Sequence, residues 1–367
     1  MIVHLSIPCM VKIAIDDQSS MLTEIREHLA DVFLVYSKDE TPDAPNDASF
    51  QKLQLTLSSG LSHDGMRHME SGVFGKPGAM LDTTFRTHLS RTADGELRIQ
   101  SPTSALEWLV WVVQLALLEQ QASFIHCAGL ERNGRAILFP SWGGVGKTAI
   151  TKRFVSDDGW RLLGDDLVIV ARDGTCYGFP RAMVLYPYHS SVFPEVFSRG
   201  EGPIAPVIAN EILTKAGLTV KPVLRRVPAA LRWARRHNPQ SVRIAPSKVF
   251  SPDALATTAQ LDTVAWIERD ATITEPRIDI DDELFVTRIV GTTLSEFNRH
   301  CTSLTPTLFG LGVFSYAQTY GSWHSILEQA FRGKRKWMIS IPANLPVAEV
   351  PGAVKSLLDS VGFYEGT

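Results

Sequence analysis

The sequence predicts an α/β fold preceded by an α+β module, on three observations. A short apolar strand, Ala136-Ile137-Leu138-Phe139, runs into a glycine-rich turn and then into a helix beginning at Ala149, the strand–turn–helix order of an α/β domain. Two strand-like runs, 124–130 and 135–139, flank Asn133-Gly134, the strongest short hairpin signal, so that strand pairs with its own predecessor. In the first hundred residues, alternation at Val11-Lys12-Ile13-Ala14-Ile15 is followed by helical spacing of Leu22, Ile25, Leu29, Val32 and Phe33, and then by alternation at Leu53, Leu55 and Leu57.

The composition sets the bounds. At 367 residues, with 44% hydrophobic and 20% charged residues, the chain has material for one large or two ordinary globular domains. Thirty-six Lys+Arg against 39 Asp+Glu leave a formal charge of −3, which argues against recruitment by nucleic acid or an anionic membrane. Cys9, Cys127, Cys176 and Cys301 form no C-x-x-C pair, which fits a reducing compartment rather than a zinc site or disulfide framework. The first residues lack a basic n-region, so no signal peptide is expected and a cytoplasmic protein is. The apolar stretch 105–118 is interrupted by Glu107 and Gln114 and falls short of the ~20 residues a membrane span needs. It reads as a buried helix with Leu106, Leu109, Val110, Val113 and Leu117 on one face.

Element by element, 1–100 is the α+β module, a scaffold or substrate-recognition element in which no catalytic pattern stands out. Its loop is polar 40–49, and its hairpin is 87–90 and 96–99 around Asp94-Gly95. Residues 101–367 form the second domain. After the hairpin and the glycine-rich turn, a second hairpin follows: 167–171, the turn Asp173-Gly174, then 175–185. Residues 198–246 resist assignment and could be an inserted lid; Arg225, Arg226, Arg232, Arg235 and Arg236 there read as a solvated face or, as the minority reading, a phosphate or acidic-peptide contact. Strands at 262–267 and 337–342 and a helix at 347–358 close the chain.

The turn itself, Ser141-Trp142-Gly143-Gly144-Val145-Gly146-Lys147-Thr148, reads as a phosphate-binding loop in which Ser141 replaces the usual first glycine. Gly143, Gly144, Val145 and Gly146 would offer backbone N–H groups to a phosphate, aided by the helix N-terminus. Lys147 would reach the β/γ-phosphates of ATP, and the Thr148 hydroxyl would hold Mg²⁺. The bland alternative is a glycine-rich turn with an incidental lysine. Downstream, Leu162-Leu163-Gly164-Asp165-Asp166 carries an apolar pair into two acids. One is expected to take the acceptor proton and the other, Asp166, to support the metal; a solvated turn is the alternative. His126 lies in the strand beside the loop strand and is either a site residue or a satisfied core histidine. Arg181 could neutralise the transferring phosphoryl group or be a plain surface arginine.

His126, the hairpin at Asn133-Gly134, Gly144-Val145-Gly146-Lys147-Thr148 and Trp160-Arg161-Leu162-Leu163-Gly164-Asp165-Asp166 resemble the catalytic domain of HPr kinase/phosphorylase. The match is best to diverged HPr kinase-like proteins, some of them encoded beside lasso-type peptides. The resemblance implies a P-loop kinase fold akin to phosphoenolpyruvate carboxykinase, with Asp165 as base, Asp166 beside it, Thr148 on the metal and His126 as the family's histidine. It implies an ATP- and Mg²⁺-dependent kinase acting on a hydroxyl, Ser/Thr of a peptide or protein, with a small-molecule alcohol kinase or a regulatory nucleotide-binding module as alternatives. A homo-oligomer is compatible with it. Two departures stand out: Ala149 follows the loop threonine where the family has an acid, and its Glu-Arg-Gly signature is reduced to Pro180-Arg181-Ala182. Forward transfer with little phosphorolysis is therefore expected.

Overall fold

The computed structural model describes residues 2–7, 11–17, 51–57, 64–70, 72–83, 86–101, 106–198, 241–280, 284–297 and 299–363. The helical spacing at 22–33, the loop at 40–49, nearly all of the expected lid and the five arginines of its basic cluster lie outside them.

The architecture mixes helices and sheets, as expected of an α/β chain. The first sheet holds β1 (Ile2–Ile7), β2 (Val11–Asp17), β3 (Gln51–Leu57), β4 (Arg67–Glu70), β5 (Val73–Lys76), β6 (Ala79–Asp82), β7 (Thr87–Arg91) and β8 (Leu97–Ser101). Their order is β1-β2-β3-β8-β7-β6-β5-β4, with β2–β3 and β3–β8 parallel. The Asp94-Gly95 hairpin is the antiparallel β7–β8 pair. Strands β4 to β6 add a meander that the sequence reading left unassigned.

The second sheet carries the glycine-rich turn. It contains β9 (Ala122–Arg132), β10 (Arg135–Pro140), β11 (Arg161–Gly164), β12 (Leu167–Ala171), β13 (Thr175–Tyr177), β16 (Thr258–Asp270), β17 (Arg277–Ile280) and β18 (Arg335–Pro342). β9 and β10 are antiparallel about Asn133-Gly134, both at positive φ (53° and 77°), the conformation that an Asn-Gly two-residue turn adopts. β10 also runs parallel to β16, which pairs with β13 at its start and with β18 further on, so the sheet curls back on itself. The second hairpin forms at Asp173-Gly174, but its outer arm is shorter than 175–185. β13 ends at Tyr177, and β14 (Met183–Leu185) leaves the sheet to pair with β15 (Val242–Ile244). Phe179-Pro180-Arg181 makes the break: proline offers no N–H to a ladder, and the Phe179 N–H turns instead to Leu163 O at 2.7 Å.

Helix α1 (Leu106–Glu119) is buried from Trp108 to Leu118, Gln114 included, rather than on one face. The cause is its position between layers: one continuous core joins Met80, Leu89 and Ile99 of the first sheet, α1, and Phe124, Val168 and Trp266 of the second. Gln114 is tolerated there because its side chain bonds the Phe124 N–H and the Ser123 hydroxyl at 2.8 and 3.1 Å. A second core lies on the opposite face of the second sheet. There α2 (Lys147–Asp157) and α9 (Val350–Ser360) bring Ile150, Phe154, Val350 and Val354 against Phe139, Ile267 and Ile341. Between α2 and α9 the chain also forms α3 (Pro194–Ser198), α4 (Pro246–Val249), α5 (Phe285–Glu296), α6 (Arg299–Ser303), α7 (Thr305–Gly310) and α8 (Tyr316–Ala330). Among the described residues, no helix is long and apolar enough to cross a membrane.

Candidate active site

The glycine-rich turn leaves β10 and enters α2 at Lys147, with Gly144 and Gly146 at φ 79° and 123°. Side chains rarely adopt these angles, and a Cβ at Gly146 would also press on Val350 at 3.2 Å. Val145 instead sends its side chain into the second core, so only its backbone remains available to a ligand. The free N–H groups of the first turn of α2 and the glycines then face a cleft of about 250 Å³. Gly143, Gly144, Gly146, Lys147, Thr148, Asp165, Asp166, His126 and Arg181 all line it.

Lys147 is 8% exposed. Its ammonium lies 2.8 Å from His126 Nε2, 3.1 Å from both Ser141 O and Ser141 Oγ, and 3.2 Å from Trp142 O. The serine that replaces the first glycine thus supplies two acceptors to the lysine, a role that motif spacing does not disclose. Burial pushes the Lys147 pKa below its ordinary value, against the pull of Asp166, Glu296 and Asp165. An ammonium cannot accept a hydrogen bond, so His126 Nε2 must be the acceptor. The ring proton of the neutral tautomer then sits on Nδ1, which faces Asp166 Oδ1 at 3.3 Å. The His126 backbone is held by its N–H to Thr293 Oγ1 of α5 (3.0 Å).

The two aspartates diverge, as adjacent side chains on an extended chain must. Gly164 permits the approach, since a Cβ there would sit 2.2 Å from Leu167 O. Asp165 turns to α2: Oδ2 accepts from Thr148 Oγ1 (2.9 Å) and Oδ1 from Thr151 Oγ1 (2.7 Å). Burial raises its pKa to about 7, despite those hydroxyls and the Lys147 charge, and Asp166 adds to the rise. Asp166 turns the other way, to an ion pair with Arg181 and to His126. Burial alone would raise it as well, but Arg181, His126 and Lys147 outweigh that and hold it well below the usual carboxylate range. The structure therefore pairs the loop hydroxyl Thr148 with Asp165. The sequence expectation had placed Thr148 and Asp166 together on the metal.

Glu296, at the C-terminal end of α5, was not anticipated. Its Oε1 lies 3.4 Å from His126 Nε2, and it lines the cleft. It comes from a helix 170 residues away along the chain, so no local spacing could connect it to His126. His126, Asp166 and Glu296 offer ligand atoms within 4.8 Å of one another, a grouping that could hold a cation. Ala149, in place of the family's acid, is buried in α2, and Ala182 lines the cleft beside Arg181.

The donor set suits an anion flanked by a divalent cation. A buried ammonium, a helix N-terminus and an arginine line the cleft together with a threonine hydroxyl and three carboxylates. No family model matches the chain, and no curated protein matches it.

Proposed function

We propose that the chain is an ATP- and Mg²⁺-dependent kinase of the HPr kinase-like class that transfers the γ-phosphoryl group to a hydroxyl, Ser or Thr of a peptide or protein. The observation that carries this is the division of the Asp165-Asp166 pair. One carboxylate is bonded to the loop threonine and the other aimed at His126 and Arg181, both within the cleft that the N-terminus of α2 faces.

Each residue then has one task. The N–H groups of Gly144 and Gly146 and the Lys147 ammonium bind the β- and γ-phosphates. Thr148 and Asp165 would hold Mg²⁺, which would neutralise charge on those phosphates. A cation there would favour ionised Asp165, whose pKa burial raises in spite of the nearby Lys147 charge. Both Asp165 oxygens are taken by Thr148 and Thr151 and the residue is 8% exposed, whereas the Asp166 side chain is 28% exposed. The more accessible carboxylate, and on this reading the base, is Asp166, although Arg181 and His126 already engage its oxygens; this reverses the roles that the resemblance implies. Asp166 accepts the hydroxyl proton as the acceptor oxygen bonds to the γ-phosphorus and the bond to the β-bridging oxygen breaks, releasing ADP. Arg181 keeps Asp166 ionised and, lining the same cleft, would neutralise charge on the transferring group. His126 orients Asp166 and Lys147 together.

The test is transfer of label from γ-labelled ATP to Ser/Thr peptides by the wild-type chain and by Asp166→Asn. The reading requires label in peptide for the first and its loss in the second at unchanged ATP affinity. Tight ATP binding without transfer to any hydroxyl would leave a nucleotide-binding module instead.

A further inference from the structure

Beyond Arg181, the cleft is lined by residues that phosphate binding does not require. From Arg181 this lining passes through Ala182, Met183 and Val184 to Tyr186 and Tyr188, so it starts at the Asp166 ion pair and ends at the mouth. Both tyrosines are large and exposed, 43% and 52%, and their rings are stacked 5.5 Å apart with 7° between the planes. They are also fixed. The Tyr186 N–H donates to His189 Nδ1 at 3.0 Å across a single 3₁₀ turn, Pro187–His189. The His189 ring is buried, lies 4.2 Å from the Tyr188 ring and packs edge-on to Phe193. A buried histidine thus holds an aromatic stack out at the cleft mouth, with its ordering entropy already spent before a ligand arrives.

The size of the cleft says what the stack faces. About 250 Å³ is below the range of roughly 300–1,000 Å³ in which small ligands are enclosed. With phosphates and a cation in the cleft, an acceptor enters by its hydroxyl-bearing side chain. The remainder of the acceptor then lies across the rim, to which the segment that follows Arg181, the partner of Asp166, contributes the exposed Tyr186 and Tyr188.

We propose that Tyr186 and Tyr188 are the acceptor-docking residues, and that they take a peptide segment whose Ser or Thr is flanked by an aromatic or large aliphatic side chain. The proposal rests on the kinase reading above and names the substrate class of that same site. The flanking side chain packs on the tyrosine stack while the hydroxyl reaches Asp166.

An array of Ser-centred peptides that differ only in the flanking residue, with γ-labelled ATP and Mg²⁺, tests it on the full-length chain. Wild type is expected to label peptides with Phe, Trp or Leu beside the serine in preference to those with Asp or Gly. The double variant Tyr186→Ala/Tyr188→Ala should raise the KM of the preferred peptide about tenfold, leaving kcat within a few-fold and ATP affinity unchanged. Tyr186→Phe/Tyr188→Phe, which keeps the rings, should restore the wild-type KM and so exclude a folding defect. Loss of ATP affinity in the alanine variant with an unaltered peptide preference would overturn the proposal and make the stack a nucleobase platform. Labelling of free serine or glycerol but of no peptide would also overturn it and leave the kinase reading standing. Absence of both ATP binding and labelling would bring down the kinase reading and this proposal together.

Discussion

Two of the sheltered cations among the described residues, Arg91 and Lys147, are held differently. Where the first sheet meets the helices, Arg91 of β7 bonds Val313 O through Nε (2.6 Å), Gly95 O through Nη1 (3.2 Å) and Glu119 through Nη2 (2.9 Å), and lies 5.1 Å from the Phe314 ring. Each nitrogen of the planar fork has its own partner, which ties β7 to α1 and to the turn before α8. In the cleft, Lys147 has three ammonium hydrogens and four acceptors within 3.2 Å. Its hydrogens can be redirected by small rotations, which suits a point charge that must meet an incoming anion. A directional fork fastens; a rotatable ammonium waits.

The sharpest way to break this contrast is to remove both cations. Lys147→Ala should abolish transfer and weaken ATP binding, since a charge-assisted contact of this kind is worth ~1.5–3 kcal/mol, roughly ten- to a hundredfold in Kd. It should leave the melting temperature near wild type, because burial already disfavours the ammonium. Arg91→Ala should do the reverse, costing ~2–3 kcal/mol of stability through three lost hydrogen bonds, with ATP affinity intact. Calorimetric titration and thermal melts on both variants decide it. A destabilised Lys147→Ala that binds ATP normally would invert the comparison.

The next effect is smaller and separates the two aspartates. Asp166→Asn should lower kcat by ~10²–10⁴-fold with ATP·Mg²⁺ binding preserved. Asp165→Asn should instead raise the Mg²⁺ concentration needed for half-maximal activity, since Asp165 shares a hydrogen bond with Thr148. A normal Mg²⁺ requirement in Asp165→Asn combined with lost turnover would return the base to Asp165.

The same contrast explains what could be read from sequence. Asn133-Gly134, Asp173-Gly174 and the loop 141–148 carry their conformational demands within a few residues, so the hairpins and the entry into α2 were legible. Trp108 to Leu118 was legible as a helix, but its burial on every side depends on two sheets that its own periodicity cannot report. Glu296 and the stacking of Tyr186 on Tyr188 were illegible for the same reason. The first is set by α5 lying against β9, the second by the His189 side chain, which accepts the Tyr186 N–H. The different surroundings of Asp165 and Asp166 also turned on packing, because only the position of Thr148 and Thr151 on α2 decides which carboxylate is enclosed.

The smallest expected effect concerns pH, where two groups lining the cleft act with opposite sign. Asp165 has its pKa raised from 3.8 to about 7, so the folded state holds a proton that the unfolded chain has released. Its contribution is complete below about pH 4 and disappears as pH rises towards 7. His189 has its pKa lowered from 6.5 to about 4 by burial, so its contribution is complete above about pH 6.5 and is lost on acidification through that window. Asp166 stays ionised in both states through most of this range and adds little slope. Melting temperatures from about pH 4 to 6.5 should therefore shift in opposite directions relative to wild type in the two variants. Asp165→Asn removes the part favoured by acid, so it should lose more stability than wild type on acidification. His189→Gln, which keeps an acceptor for the Tyr186 N–H, should lose less. Parallel curves for wild type and both variants would mean that neither group is enclosed as described, and the cleft would then lack the desolvated interior that distinguishes Lys147 from Arg91.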